Sequence, residues 1–465
     1  MSCNCSIKQE VAKYILLYCN NINNLYIAFS GGVDSCVLLD AISIVNKELN
    51  VNKKIIALHI NHNISKNSVA WEKFCHDYCD NLNIKIYSHQ VNLVVKKDQS
   101  LESVARTARY NIFKNYLNNQ DKILITAHHQ NDQAETLLLN LFRGSGLTGL
   151  TGMKIFADLD KKNNTKILRP LLDINKNLIL DYAKKNNLTW VEDESNFCID
   201  HSRNYLRHEI IPKLSEKWPA VVNKISHSAM HCFEAEKYIN KNMAFHYTQS
   251  LSIDDFGYNV LNIEYLKQLL KEEQKYLLRY FISKQNASYP SKIKLEEILN
   301  QTLNARADAN ISVCWKYESN NYEIKRFKNK IYLLTNFKVN PDKKYNKYNY
   351  KLGDKLYIPE INKSLISYIK DNINTSESKN IEKHDDVKLE INFRKNINAN
   401  KVLVKLKNNL CSISLKKYLQ RINIPAWERD NIVLIFIEDK LIYIIIGSKI
   451  ISCSEYINSY VFDLL

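Results

Sequence analysis

The stretch LYIAFSGGVDSCVLLDAI, from Leu25 to Ile42, limits the fold more than any other part of the chain. A β-prone run enters Ser30-Gly31-Gly32, and an apolar run with helical spacing follows from Asp34. A strand that turns through glycines into a helix is a candidate phosphate cradle. Glycine lacks a Cβ, so the backbone can take positive φ and bring its N–H groups close to a ligand. The helix that follows aims its positive end at the same point. Ser30, Gly31, Gly32, Val33, Asp34 and Ser35 are therefore candidate nucleotide-binding residues, with Asp34 also a candidate ligand for Mg²⁺ between phosphate oxygens. A tight strand–helix turn with no ligand is the competing reading of two bare glycines. The string also lacks the lysine of Gly-x-x-x-x-Gly-Lys-Ser/Thr, which disfavours a kinase or GTPase.

Residues 25–127 alternate strand-like and helix-like patterns. The short runs LYIAFS, KIIALHI, IKIYSHQV and KILITAH are separated by amphipathic stretches at 67–81 and 101–117. Such alternation predicts an α/β domain, a parallel sheet covered by helices on both faces. Ligands of these sheets bind beyond the carboxyl ends of the strands. Ser30, His59–His62 and Ala127–His129 all fall there, so one crevice is expected to gather them. Four segments are expected along the chain: a catalytic domain over 1–215, a mainly helical one over 216–335, a linker region over 336–390 and a β-rich domain over 391–465.

In that last block, NIVLIFIEDKLIYIIIGSKIIS (431–452) reads as a hairpin turning at Glu438-Asp439. YEIKRF and KIYLL form another around Lys328-Asn329. The polar run 371–388 reads as a mobile loop or linker, and 336–355 mixes Lys with Tyr without a clear period.

Charge points to the partner. Lys and Arg total 65 against 49 Asp and Glu, a net +16 with a pI near 9.1. That excess suits a polyanion, nucleic acid above all, although solvated lysines on a basic protein give the same balance. No apolar run is long enough to span a bilayer, and the amino-terminal residues do not form a signal peptide. Eleven cysteines without framework spacing suit reduced thiols in a cytoplasmic protein.

Candidate chemistry continues in ITAHHQNDQAETLLLNLFRGSGLTGLTGM (125–153). Asp132 and Glu135 lie three apart on a helix that opens just past a strand, so their carboxylates share a face. They could receive an ammonium group or a metal, or simply complement the helix dipole. Arg143 begins a glycine-rich loop suited to phosphate. Arg106 and Arg109 in LESVARTARY lie one turn apart, as do Arg203 and Arg207 in SRNYLRHEI. Each arginine alone is as easily a surface ion-pair partner. His128 and His129, at a strand end, suit either a nucleotide contact or a structural role.

SGGVDS resembles the PP-loop of ATP pyrophosphatases, which hold the β,γ-pyrophosphate and leave the α-phosphorus open to attack. With HINHNIS, ESVARTARY, the 125–153 stretch, RPLL and EDESN…RNYLR…IIPKL, residues 24–214 closely resemble the tRNA(Ile)-lysidine synthetase family. The tail at 418–450, with Pro425-x-Trp427-x-Arg429, resembles that family's C-terminal domain. Asn131 departs from the family's usual second Asp, and HNIS from its usual His-Gly-Leu-Arg.

The resemblance implies a PP-loop, adenine nucleotide alpha hydrolase-like domain with ATP, Mg²⁺, free L-lysine and a CAU-anticodon tRNA(Ile) as cofactors and substrates. Adenylation of the wobble cytidine's carbon-2 oxygen makes AMP the leaving group, and lysine's ε-amine then attacks carbon 2. AUG reading thereby becomes AUA reading. It further implies that Asp132 and Glu135 recognise lysine, that Asp34 serves catalysis, and that Arg106, Arg109 and Arg203 neutralise phosphate and the lysine carboxylate or steady the cytidine. The oligomeric state is left open, a homodimer among the options.

Three other readings compete, and one of them, an amidotransferase-type PP-loop synthetase, is disfavoured because no glutaminase-like segment is evident. A PP-loop thiolase acting on tRNA cytidine would need paired cysteines, and only Cys3-x-Cys5 and Cys75-x-x-x-Cys79 are close, the latter best read as a packed helix face. A non-catalytic tRNA-binding protein would have no need of the intact loop and acid pair.

Overall fold

The computed structural model describes residues 7–63, 65–91, 93–94, 101–117, 121–160, 164–192, 194, 202–254, 257–306, 309, 311–317, 320–335, 346–351, 354–359, 363–369, 388–405, 412–437, 439–447, 449–453 and 460–464. Two compact units divide the chain, residues 1–240 and 241–465.

The first unit opens with α1 (Ile7–Tyr18), then alternates β1 (Asn24–Ala28), α2 (Val33–Glu48), β2 (Lys54–Asn61), α3 (Ser68–Asn81), β3 (Lys85–Gln90), α4 (Leu101–Tyr116), β4 (Lys122–Ile125) and α5 (Gln130–Phe142). A short helix α6 (Leu147–Leu150), the hairpin β5 (Phe156–Asp160) and β6 (Thr165–Leu168), and α7 (Lys176–Lys185) follow. The sheet order is β3-β2-β1-β4-β6-β5, parallel throughout except for β5 at the edge. Strand period decides the two cores. Leu25, Ile27, Ala57, Ile123, Ile125 and Leu168 face α1, α2, α3 and α7, whereas Tyr26, Ile56, Leu58, Leu124 and Ile167 face Phe113 and Leu117 beside α4. Each fully buried Leu or Ile contributes about 1.5–3 kcal/mol, so a polar side chain at any of these positions would be costly. Both faces of the sheet are covered, as the alternation predicts.

Beyond it lie α8 (Ser202–Tyr205), a π-helical turn Leu206–Ile210, α9 (Ile211–Lys217) and the long α10 (Val221–Ser250).

In the second unit, β7 (Leu251–Ile253), β8 (Asn259–Asn262), α11 (Ile263–Gln268), α12 (Lys271–Lys284) and α13 (Lys292–Asn304) precede β9 (Ile311–Tyr317), β10 (Asn320–Phe327) and β11 (Lys330–Thr335). The hairpin expected at Lys328-Asn329 is β10–β11, with Lys328 at φ 53° in its turn. It sits inside a five-stranded sheet, β7-β8-β11-β10-β9, so the segment read as mainly helical carries a sheet beside its helices. Three-residue β7 and four-residue β8 are too short to reveal a period.

Then come β12 (Tyr348–Lys351), β13 (Lys355–Ile358), β14 (Lys363–Ile369), β15 (Lys388–Phe393), β16 (Leu403–Lys405), β17 (Ser412–Ser414), α14 (Leu415–Arg421), α15 (Ala426–Arg429), β18 (Val433–Ile437), β19 (Lys440–Ile446), β20 (Lys449–Ser452) and β21 (Tyr460–Leu464). The linker reading of 336–390 is corrected where the chain is described. There β12 pairs with β15, and β13 pairs with β14, because Tyr350, Ile358 and Leu365 turn inward to be buried. Residues 336–345 and 370–387, and with them most of the polar run and half of the Lys/Tyr stretch, lie outside the described residues, as do Cys3, Cys5 and Glu438. The β18–β19 hairpin turns at Asp439, φ 62°.

The Pro425-x-Trp427-x-Arg429 motif has a structural role. Trp427 packs edge-on against Phe327 and Tyr332, with Lys325 Nζ 5.1 Å from its ring, and Tyr258 Oη donates to Glu428 at 2.8 Å. The motif thus fastens α15 to the five-stranded sheet. Trp427→Ala is expected to lower the stability of this unit by about 2 kcal/mol, half the cost of a fully buried Trp, as measured by a shift in denaturant midpoint.

Candidate active site at the loop and the acid pair

The strand order reverses between β1 and β4, and in such sheets the ligand crevice opens there. A cavity of about 240 Å³ occupies that point, lined by Ser30, Asp34, Ser35, Arg106, Arg109, Tyr110, Thr126, Ala127, His128 and Asp132 among others. It brings together the first-loop residues, the β4 end and the α4 arginines.

Gly31 lies at φ 79°, the left-handed region, and Gly32 caps α2. The loop's polar groups satisfy one another. Ser35 Oγ donates to the Gly32 carbonyl at 2.9 Å, and the Ser30 and Ser35 hydroxyls stand 3.3 Å apart. From beneath, Cys36 Sγ and the Val191 N–H both donate to the Gly31 carbonyl. Val33 and Asp34 form the first turn of α2, so their N–H groups point to the cradle.

Asp34 Oδ1 meets Lys176 Nζ at 2.5 Å, and its Oδ2 lies 3.7 Å from His129 Nε2. Burial pushes this carboxyl up, but the hydrogen bond and charge of His129 and the Lys176 ammonium prevail and hold it below its usual range. Among the described residues no cluster of three His, Cys, Asp or Glu could enclose a metal. A magnesium ion bound chiefly through substrate phosphates needs only one or two carboxylates, and the oxygen donor of Asp34 fits that need.

Asp132 and Glu135, at the start of α5, are both buried and form a closed quartet with two arginines. Arg203 Nε donates to Glu135 Oε2 at 2.6 Å and Arg207 Nε to Glu135 Oε1 at 2.7 Å. Each arginine also reaches Asp132 Oδ1, at 3.0 and 3.1 Å. The His129 N–H donates to Asp132 Oδ2 at 3.0 Å. Burial raises the Asp132 carboxyl, yet His129 and Arg203 outweigh it and keep the group ionised far below the ordinary range. The π-helical turn carries Arg207 one helical step from Arg203, which lets both guanidiniums converge on the same pair. The two acids differ in access: Asp132 lines the crevice, whereas Glu135, 1% exposed, lies behind it.

Arg109 lines the crevice and stands 3.3 Å from His62 Nε2, and Arg106 stacks over Tyr110 at 5.0 Å. Arg143 is not brought in. It caps the far end of α5, roughly 16 Å from Asp132 by helix rise. Its loop is pinned rather than loose, since Asn140 donates to Gly149 O and Gln133 exchanges two hydrogen bonds with Met153.

His128 bonds Thr126 Oγ1 at 2.8 Å; burial, with Arg169, Arg203 and Arg106 outweighing Asp132, takes its pKa down from 6.5 to about 3. The unfolded chain therefore binds a proton near pH 6.5 that the folded one refuses until about 3. Stability should fall as pH drops through that window, by up to about 1.4 kcal/mol per pH unit for this group. His62, taken down to about 4 by burial and Arg109, acts in the same direction. Comparing denaturant midpoints at pH 7 and pH 5 should show the loss, and His128→Gln should reduce it.

Sequence reasoning missed Lys176, which sits 142 residues after the loop residue it meets. It also underrated His129, which stands between Asp34 and Asp132. A lysine at a helix start carries no signal in one sequence, because only the packing of α7 on α2 shows what it faces. Cys36, Cys75 and Cys79 are fully buried, and burial pushes the Cys75 and Cys79 thiols up to about 12. That is unsuited to sulfur transfer.

Residues 4–214 match the PP-loop domain family, 261–332 the TilS substrate binding domain and 399–450 the TilS substrate C-terminal domain. Over 437 residues the chain is 35% identical to the tRNA(Ile)-lysidine synthase of Coxiella burnetii, covering 94% of this chain and 91% of that protein. The enzyme of the same name from Buchnera aphidicola is 36% identical over 437 residues, covering 93% and 92%. That of Haemophilus influenzae is 34% identical over 423 residues, covering 89% and 92%. No described helix is long and apolar enough to cross a membrane.

Proposed function

Because this chain belongs to the tRNA(Ile)-lysidine synthase family, we propose that its crevice joins free L-lysine to carbon 2 of the wobble cytidine of a CAU-anticodon tRNA(Ile), through a cytidine adenylate. It is an ATP-using ligase that modifies tRNA. The observation that carries the reading of the site is the buried acid Asp132 lining the same crevice as the glycine loop.

The reaction has two halves. The cytidine oxygen attacks the α-phosphorus, and pyrophosphate departs with the electron pair of the broken P–O bond. Lysine's amine then attacks carbon 2, and AMP departs. The loop's N–H groups and the α2 start hold the pyrophosphate, while Asp34 would hold a magnesium ion that draws charge from the phosphate oxygens. Arg106 and Arg109, on one face of α4, would neutralise phosphate or the lysine carboxylate.

An ε-ammonium has an ordinary pKa near 10.4 and must lose its proton before attacking. A carboxylate held as low as Asp132 binds ammonium well and takes a proton poorly. Asp132 therefore recognises the ammonium, and His129, its Nε2 3.5 Å from Asp132 Oδ2, helps to hold that carboxylate ionised. Lysine must displace at least one guanidinium, because Asp132 Oδ1 is held by both Arg203 and Arg207. Glu135 is reached as the arginines part from it. The target base must leave its stack to enter a crevice of this size. The net charge of +16 suits the rest of the tRNA, and a cytoplasmic location follows from that substrate.

With α-labelled ATP and tRNA but no lysine, a single turnover should leave label on the tRNA as AMP. No label on the tRNA in that arm, with label on lysine's carboxylate when lysine is supplied in place of tRNA, would point to acyl-adenylate chemistry instead.

A further inference from the structure

The glycine loop has no lysine of its own, and the loop's backbone together with the start of α2 offers only partial positive charge. We propose that Lys176 supplies the missing cation and binds the pyrophosphate as it leaves. The proposal rests on the reading that this loop holds pyrophosphate.

Lys176 is the first residue of α7, and its Nζ lies 2.5 Å from Asp34 Oδ1 at the loop. The segment that presents it is fixed. Its own N–H donates to Asn131 Oδ1 at 3.3 Å, and the Asn175 side chain caps the helix by accepting from the Asn177 N–H at 2.9 Å. Ile179 and Ala183 are fully buried against the core that α2 shares, and Tyr182 Oη donates to Asp40 on α2 at 2.8 Å. The helix that carries the loop and the helix that carries Lys176 are thus locked together, while the ion pair stays partly open, 28% and 31% exposed. The ammonium can swing from a carboxylate to a phosphate without moving its backbone.

Pyrophosphate carries more charge than Asp34 and so competes for the ammonium once nucleotide enters. When the bond from the α-phosphorus to the α,β-bridging oxygen breaks, the electron pair passes to that oxygen, which becomes a terminal oxygen of the departing pyrophosphate, and a whole positive charge beside it stabilises the leaving group. Asp34 keeps Lys176 aimed at the loop until then. This makes Lys176 the counterpart, supplied from far along the chain, of a residue that other phosphate loops carry within themselves.

Calorimetric titration with inorganic pyrophosphate separates the possibilities. Lys176→Met should weaken binding roughly tenfold to a hundredfold, the scale of one charge-assisted hydrogen bond, and Lys176→Arg should restore most of it. Affinity for tRNA should be unchanged in both. Ser30→Ala reports on the loop itself. If Lys176→Met binds pyrophosphate like the parent while Ser30→Ala does not, Lys176 has no such role and the loop reading stands. If neither change matters, the loop reading fails and the proposal with it. Should the unpaired Asp34 carboxylate unfold the single variant, Lys176→Met is compared in an Asp34→Asn background, where the same loss is expected.

Discussion

Asp132→Asn is expected to cut lysine transfer by about 10²–10³-fold while tRNA binding stays at the parental level. Removing one partner of a desolvated charge contact costs about 2–5 kcal/mol, which sets that range. The amide retains an oxygen for the His129 N–H, so the start of α5 keeps its shape. What disappears is the charge that attracts an ammonium and that Arg203 and Arg207 neutralise in the free enzyme. Adenylated tRNA should therefore accumulate in this variant, since the first half-reaction does not use the acid. An equal fall in tRNA affinity and in transfer would show that Asp132 only holds the fold. Glu135 gives a useful contrast. Buried beneath both guanidiniums, it should destabilise the protein when replaced by Ala, because two arginines lose their main acceptor.

Gly31→Ala should be nearly as damaging by another route. At φ 79° a side chain strains the backbone, and a Cβ there would stand 2.9 Å from Cys75 Sγ and 3.0 Å from Val191 Cγ2. Strain and overpacking together predict a loss of about 2–4 kcal/mol in stability, with ATP binding lost as the cradle shifts. Cys75→Ala added to Gly31→Ala should relieve the contact with Cys75 but neither the one with Val191 nor the φ, so stability returns in part and ATP binding less. Full recovery of ATP binding in the double variant would mean that the loop's conformation matters little.

The parallel sheet and the crevice were legible because two periods and one glycine string carry them. Leu25, Tyr26 and Ile27 alternate between two cores, and Gly31 takes the positive φ its type permits. The same logic placed Asp132 and Glu135 on one helix face. It could not separate them, since access depends on how α8 and the π-helical turn deliver Arg203 and Arg207 over Glu135. The roles of Lys176 and Arg143 were likewise hidden, the first by a separation of 142 residues and the second by a helix length that puts it far from the chemistry. In the second unit, β7 and β8 were too short to show alternation, and Trp427 gave no sign that its ring fastens a helix to a sheet.

The most direct test of the central claim is incubation of the full chain with ATP, labelled lysine and unmodified CAU-anticodon tRNA(Ile), following label in the tRNA alongside AMP and pyrophosphate. Label should enter the tRNA only when ATP is present, with one AMP and one pyrophosphate formed for each lysine fixed. AMP release without label in the tRNA, or no lysine-dependent AMP at all, would contradict it.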